Sequence, residues 1–236
     1  MKGIDRNEVC KFYNDITDIW PSDERWFVYT NKQIEKYLNT YRLPDTSYIL
    51  NAGSAGNTYG LPYKFHHVDI AEKHLEGLEH ATVASVESLP FDNEAFDGCI
   101  CVGSVINYCD ALVAIAEMLR VIKPGGVIVL EFENSNSYEY KHSDVYGKAA
   151  GIVTVNYRQQ EHHQWLYSYR HIKNICESCG AKIRSARYFH ILSSLKLARG
   201  LEEDAASEYA KYDKLLACVP LVKAHAGNII VQCTKL

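Results

Sequence analysis

The feature that most constrains the fold is a short apolar run that ends in a glycine-bearing turn, over residues 48–57. Tyr48 to Ala52 read as a buried strand, and Gly53 and Gly56 follow it. Glycine adopts the left-handed backbone conformation readily and lets the backbone approach a ligand closely. The segment therefore predicts the first strand of an α/β domain and a turn suited to ligand binding.

From residue 48 onwards, apolar strand-like runs alternate with helical segments, which favours a parallel sheet with helices on both faces. Asp110 is a candidate N-cap, and Gly180 is a candidate residue just past a helix end. We expect strands near 48–52, 65–69, 80–84, 97–102, 126–132, 181–189 and 228–234. We expect helices near 71–77, 110–121 and 168–179.

Three segments lie outside this alternation. Residues 1–44 carry two amphipathic helical patterns, the second from about Arg25 to Tyr41, and we expect a helical cap there. We expect the remaining residues, 45–236, to form one domain with two lid-like insertions. The insertions are a polar, aromatic-rich segment at about 133–167 and a helical excursion at about 190–227.

Composition excludes several classes of protein. The formal net charge is −4 and no basic cluster is long enough to follow a phosphate backbone, which disfavours nucleic-acid partners. No apolar run is long enough to span a bilayer, and the polar start of the chain lacks a signal-peptide region, so we expect a cytoplasmic protein without a membrane partner. The eight cysteines lie mostly in apolar runs or in the lone pair Cys176 and Cys179. Neither disulfides nor a metal site is predicted.

Further stretches follow the first turn in a recognisable order. Glu87-Ser-Leu-Pro-Phe91 precedes Phe96-Asp97, and Ile122-Lys-Pro-Gly-Gly leads into another apolar run. Their order and spacing resemble the class I S-adenosylmethionine-dependent methyltransferases over roughly residues 45–135. The resemblance implies a Rossmann-like, doubly wound, mostly parallel seven-stranded sheet with residues 228–234 as an antiparallel last strand. It also implies S-adenosyl-L-methionine as cofactor and S-adenosyl-L-homocysteine as product.

The resemblance assigns cofactor roles to the first two strand ends. The family has an acidic residue at the end of strand one and then alternate glycines, and these positions hold Asn51, Gly53, Ala55 and Asn57. Only the first glycine is kept. Asp69, which ends strand two, is implied for the ribose hydroxyls because a carboxylate can accept two hydrogen bonds from a cis-diol. Capping of the following helix is its alternative role.

The same resemblance assigns the adenine and methyl ends of the site. Ser85 would hydrogen-bond the adenine amino group, and Val86 would offer its backbone N–H and an apolar face to the ring. Gly103, after strand four, would leave space near the transferred methyl group. Asn107 and Tyr108 occupy substrate-facing positions in the family.

The first insertion supplies the candidate acceptor residues. Its mixture of aromatic and titratable side chains suits a pocket that stacks an organic acceptor and takes a proton near neutral pH. Aromatic packing with solvated histidines is the alternative interpretation. The candidate catalytic bases are His163, His162 and Glu133. The candidate substrate contacts in the insertion are Tyr138, Tyr157 and Trp165.

We therefore expect a methyltransferase that acts on O or N of a small organic acceptor. Acidic net charge and the aromatic insertion motivate the small acceptor. A protein or peptide methyltransferase is one alternative. A non-catalytic domain that has lost the cofactor is another, motivated by Asn51, Asn57 and Ser85. A nicotinamide-dependent oxidoreductase would require a fuller glycine motif after strand one.

Overall fold

The computed structural model describes residues 4–40, 43–157 and 160–236. The strands are β1 Tyr48–Ala52, β2 Lys64–Asp69, β3 Ala81–Val83, β4 Phe96–Cys101, β5 Ile122–Glu133, β6 Ala150–Tyr157, β7 Gln160–Tyr167, β8 Ala181–Phe189 and β9 Asn228–Lys235. The helices are α1 Arg6–Asp15, α2 Arg25–Leu38, α3 Ala111–Val121, α4 Tyr169–Ser178, α5 Ile191–Leu197, α6 Glu203–Ser207, α7 Asp213–Leu216 and α8 Pro220–Lys223.

Within the described residues, seven strands form the main sheet in the order β3-β2-β1-β4-β5-β9-β8. The first five pair in parallel, whereas β9 runs antiparallel to both β5 and β8. This confirms the predicted doubly wound, mostly parallel sheet with an antiparallel last strand. The strand order reverses between β1 and β4, and in such sheets ligands bind beyond the carboxyl ends of the strands at that point.

Strand β1 is covered on both faces, as its continuous apolar run predicts. On one face Leu50, which is fully buried, belongs to a core with Ile115 of α3. On the other face Ile49 belongs to a core with Ile34 of α2. The N-terminal segment therefore supplies a helix that packs on the sheet as well as a cap.

The helix ends follow local capping chemistry. The side chain of Asp110 accepts hydrogen bonds from the backbone N–H groups of Leu112 and Val113, so it caps α3 as predicted. Gly180 follows α4 with φ +80°. None of the described helices has the length and apolar character that crossing a bilayer requires.

The first insertion folds as a hairpin in which β6 and β7 pair antiparallel, with Thr154 opposite His163. A single 3-10 turn, Tyr138–Tyr140, precedes the hairpin. The sequence indicates a polar, aromatic insertion here but not these strands. The second insertion is helical as expected and carries α5, α6, α7 and α8.

Three element boundaries differ from the sequence expectation. Residues 71–77 give only a 3-10 helix, Glu72–Leu75, because Glu76 already leaves the helical region with ψ 131° and Gly77 follows with φ +78°. Strand β5 begins at Ile122, which already pairs with Phe96 across an irregularity in register. Helix α2 ends at Leu38, and the predicted end at Tyr41 lies outside the described residues.

Candidate active site

A cavity of about 400 Å³ lies at the carboxyl ends of the parallel strands. Gly53 after β1, Asp69 at the end of β2, Gly103 after β4 and Glu133 at the end of β5 all line it. The cavity spans the point where the strand order reverses, the usual ligand position in a doubly wound sheet. Its volume falls in the range of small-molecule sites.

The turn after β1 requires glycine at its first position. Gly53 has φ +68°, and a Cβ built there would lie 2.4 Å from Cγ2 of Val105. Its N–H donates to the carbonyl of Val68 at 2.7 Å. Ala55 also adopts a left-handed conformation, with φ +43°. The turn therefore keeps a glycine-like backbone although only one of the family's glycines is present.

Asn51 lies in the position where the family has an acidic residue, but it is buried away from the cavity lining. Its Nδ2 donates to the carbonyl oxygen of Asn57 at 2.6 Å. The side chain of Asn57 in turn accepts from the backbone N–H of Tyr59 at 2.8 Å. The two asparagines that replace the family's residues thus stabilise the turn through these hydrogen bonds.

Asp69 does not cap the following 3-10 helix, whose N-cap is Ala71, but holds the nearby backbone through both carboxylate oxygens. Its Oδ1 accepts from the N–H of Ala71 at 2.9 Å, and its Oδ2 accepts from the N–H of Ala55 at 2.9 Å. The carboxylate also borders the cavity. Because each carboxylate oxygen has capacity for a second hydrogen bond, Asp69 can accept from a ligand while it holds the turn.

Ser85, Val86 and Glu87 line one end of the cavity. The N–H of Glu87 donates to Oγ of Ser85 at 3.2 Å. Arg6 of α1 forms an ion pair with Glu87, with Nη2 to Oε2 at 2.6 Å. Helix α1 therefore reaches over this end and places a guanidinium group beside it.

Glu131 holds the turn after β4 through hydrogen bonds to its backbone. It is fully buried and accepts from the N–H groups of Gly103 at 3.0 Å and Ser104 at 2.7 Å, and from Nδ2 of Asn228 at 2.8 Å. Burial raises its pKa, and these hydrogen bonds oppose the rise. Its role is to fix the left-handed Gly103 and Ser104.

Glu133 and Glu139 bring carboxyl groups to the opposite end of the cavity. Oε2 of Glu133 accepts from Nε2 of Gln164 at 2.6 Å and from the Tyr140 hydroxyl at 3.3 Å. Burial, followed by the charge of Glu131, raises the pKa of Glu133 to about 7. Burial and the charge of Glu133 raise the pKa of Glu139 to about 8. A carboxyl with a pKa near 7 can exchange a proton at neutral pH.

Asn107 does not reach the cavity as the family position implied. It is fully buried, and its Oδ1 accepts from the N–H of Glu133 at 3.0 Å. Its Nδ2 donates to the carbonyl oxygen of Trp165 at 2.6 Å. Asn107 therefore joins the segment after β4 to β5 and β7. Its neighbour Tyr108 does line the cavity.

Four insertion residues that were expected to contact substrate or to act as a base lie outside the described cavity lining. The ring of His162 packs edge-on against Phe12 of α1 at 3.7 Å between centroids. His163 is exposed and its Nδ1 lies 3.1 Å from the Thr154 hydroxyl. Tyr138 stacks on His225, and Trp165 stacks on Tyr167. His163 and Trp165 alternate with Gln164, which lines the cavity, whereas His162 shares the face of Gln164 but packs against Phe12.

The cavity lining thus includes most of the predicted cofactor residues and few of the predicted acceptor residues. The predicted residues that line it are Gly53, Ala55, Asp69, Ser85, Val86, Gly103, Tyr108, Glu133 and Tyr157. Sequence reasoning missed Trp20, Trp26, Glu139 and Glu203, which come from the cap and the insertions. None of these lies in a motif, so no local signal indicated them.

Comparisons with known proteins agree with this geometry. Residues 45–130 match the family described as a methyltransferase domain. The ubiquinone/menaquinone biosynthesis C-methyltransferase UbiE of Geotalea daltonii is 34% identical over 74 residues, which is 31% of this chain and 32% of that protein. The match therefore spans about a third of the relative's length.

Two solved structures share the fold over nearly the whole chain. The cyclase SpnF has a TM-score of 0.61 at 16% identity and covers 100% of this chain and 99% of its own. The 1,6-didemethyltoxoflavin-N1-methyltransferase of Burkholderia thailandensis, solved with 1,6-didemethyltoxoflavin and S-adenosylhomocysteine, has a TM-score of 0.56 at 13% identity. It covers 98% of this chain and 86% of its own.

Proposed function

We propose that this member of the class I S-adenosylmethionine-dependent methyltransferases transfers a methyl group to nitrogen or oxygen of a small organic acceptor. One observation carries the proposal. Residues at the family's cofactor positions and a carboxyl group with a raised pKa line the same cavity. A methyl donor and a proton-accepting group could therefore act on one acceptor.

The cavity lining fits the cofactor. Gly53 brings bare backbone to the cavity wall, where a Cβ would instead strike Val105. Asp69 suits the ribose hydroxyls, and Ser85 and Val86 suit the adenine ring. S-adenosylmethionine would supply a methyl group on a sulfonium sulfur. In the in-line displacement the sulfur would be the leaving group.

The chain's own residues would bind the methyl donor, align it with the acceptor and take a proton from the acceptor. The turns at Gly53 and Gly103 would hold the donor against the strand ends, and the cap residue Trp20, whose ring lies 3.3 Å from a Cβ built on Gly103, would keep water out. Glu133 would take the proton that the acceptor loses. Gln164 and Tyr140 would keep its carboxyl group in place.

Calorimetric titration with S-adenosylmethionine and S-adenosylhomocysteine tests the cofactor site. We expect micromolar binding by the wild-type chain and at least tenfold weaker binding by Asp69→Ala. Glu79→Ala, which removes an exposed carboxylate outside the cavity lining, should bind like wild type. Asp69→Asn keeps the side-chain shape and should show a smaller loss.

The negative outcomes separate the alternatives. If folded wild-type protein binds neither ligand, the domain has lost its cofactor and the proposal fails. If both ligands bind but methylation is found only with peptide or protein extracts, the chain is a protein methyltransferase. Methylation of small metabolites supports the proposal.

A further inference from the structure

We infer that the acceptor is a small basic amine, bound as an organic cation by three carboxyl groups that face one end of the cavity and methylated at nitrogen. The three groups are Glu133, Glu139 and Glu203, which we call the acidic trio. The inference rests on the proposed function and specifies its substrate class.

The distribution of charge in the cavity is uneven. Among the described lining residues, Arg6 is the only arginine or lysine, and it is paired with Glu87 at the adenine end. The acidic trio faces the same cavity without a lysine or arginine in its lining to balance it. A ligand that neutralises this end must therefore bring its own positive charge.

The trio's members come from three separate elements that converge. Glu133 ends β5, Glu139 lies in the 3-10 turn of the first insertion, and Glu203 begins α6 of the second insertion. They are close enough that Glu133 and Glu203 both raise the pKa of Glu139. Like charges brought together at the partly buried Glu133 and Glu139 are costly, so this arrangement favours a function that uses them, and Glu203 adds a more exposed third carboxyl group.

The titratable groups that contact Glu133 or shift its pKa are acidic or phenolic, and Arg25, which lies against α6, is already paired with Glu208. Glu131 lies beneath Glu133 and raises its pKa. Tyr140 donates a hydrogen bond to Glu133, and the charge of Glu133 helps to raise the pKa of Tyr108. None of these groups can supply a cation at neutral pH. The positive charge at this end of the cavity would therefore come from the ligand.

An aromatic ring in the lining of the same cavity suits the same ligand. Trp26 lines the cavity and stacks on His190 at 3.6 Å between centroids, with 8° between the planes. His190 is held at its two ring nitrogens by Thr30 and Ser193, both at 2.9 Å. Burial lowers the pKa of His190 to about 3, so this support is uncharged at neutral pH. Aromatic faces attract ammonium groups, most strongly when these are desolvated.

A metal-binding role for the acidic trio has no support in the geometry. Within residues 4–40, 43–157 and 160–236, no group of three or more His, Cys, Asp or Glu residues is arranged to hold a metal ion. An organic cation needs no such coordination geometry. It needs only carboxylates and aromatic faces around it.

The size of the cavity limits the amine. The same volume of about 400 Å³ must hold both the donor and the acceptor. Sites of this size hold small organic molecules. A small amine with a short apolar or aromatic body is of suitable size.

The chemical step balances with these residues. The bound ammonium group gives a proton to Glu133, which leaves a lone pair on nitrogen. That lone pair forms the new bond to the methyl carbon while the carbon–sulfur bond breaks, and its electron pair stays on sulfur. The product is a methylated ammonium ion and a neutral thioether. Glu133 then returns its proton to solvent.

Binding of matched probes to the complex with S-adenosylhomocysteine tests the inference. The probes are 2-phenylethylamine, the neutral 2-phenylethanol and the anionic 3-phenylpropionic acid. We expect the amine to bind at least tenfold more tightly than the other two. We also expect radiolabelled methyl transfer to the amine alone.

Carboxamide variants assign the effect to the acidic trio. Glu139→Gln should weaken amine binding at least tenfold, and Glu203→Gln at least threefold. In both variants the affinity for S-adenosylhomocysteine should change less than twofold. The control Glu202→Gln, beside the trio but outside the cavity lining, should bind both ligands like wild type. Thermal melts verify that each variant is folded.

Each contrary outcome is distinct. Failure of wild type to bind S-adenosylhomocysteine would refute the proposed function itself. Cofactor binding with no preference for the amine would overturn only the amine inference. Weaker S-adenosylhomocysteine binding by Glu139→Gln would show that the trio holds the cofactor's own ammonium group, which also overturns it.

Discussion

At the scale of single residues, Gly53 shows most directly how backbone conformation makes the site. Its φ of +68° lies in the left-handed region, and its missing side chain leaves room for Val105 at the cavity wall. Gly60 has nearly the same φ, +65°, but a Cβ there would meet nothing within 4 Å. Substitution of Gly60 therefore tests backbone strain alone, whereas substitution of Gly53 tests strain together with a steric clash.

We expect Gly53→Ala to lower the free energy of unfolding by about 2–4 kcal/mol, because left-handed strain and a clash add. Gly60→Ala should cost roughly 1 kcal/mol or less, because it adds strain alone. Urea unfolding and calorimetry measure both effects. Cofactor binding should fall only in the Gly53 variant. Equal stability of the two variants would contradict this account of the turn.

At the scale of elements, Asn107 joins pieces that meet only in the folded chain. It accepts from the backbone of β5 and donates to the backbone of β7, and it has no exposed surface. A buried side chain that satisfies backbone groups on two strands holds them in register. The hairpin of the first insertion is thereby tied to the strand that carries Glu133.

We expect Asn107→Ala to lower the free energy of unfolding by about 2–3 kcal/mol, since it leaves buried backbone groups without partners. Thermal and urea unfolding check this value. Asn7→Ala on the exposed surface of α1 should change stability by less than about 0.5 kcal/mol. If Asn107→Ala melts like wild type and loses only acceptor affinity, Asn107 is a substrate contact as the family position implies.

At the scale of the whole molecule, the buried carboxyl groups make stability depend on pH. The pKa of Glu133 is raised to about 7 and that of Glu139 to about 8 in the folded protein. In the unfolded chain a glutamate has a pKa of about 4.3. The folded state therefore binds more protons between these values, and this contribution to stability falls as pH rises from about 4.3 to 8.

We expect Glu133→Gln to be more stable than wild type at pH 8 by about 1–3 kcal/mol, and nearly equal to it at pH 5. The comparison with wild type is needed because the lowered pKa values of His66, His67 and His190 act in the opposite direction below about pH 6.5. Urea unfolding across this range measures the difference. A difference that stays constant with pH would show that Glu133 titrates normally.

The parts of the fold that the sequence predicted correctly depend on local patterns. The apolar run at residues 48–52 and the capping residue Asp110 each act through neighbours a few positions away. The glycine turn, Asp69 and Gly103 could be found because each follows a strand, and carboxyl ends of parallel strands meet at one edge.

The tertiary structure alone decided the acceptor side of the cavity. Glu133, Glu139 and Glu203 converge from β5 and two insertions, and nothing periodic in the sequence relates them. The faces of the hairpin also could not be predicted, because a shift of one residue in register exchanges the side chains on its two faces. His163 and Gln164 differ by one position, yet only Gln164 lines the cavity. The sequence by itself therefore determined the sheet and the strand ends that border the cavity, while long-range packing decided which side chains of the insertions line it.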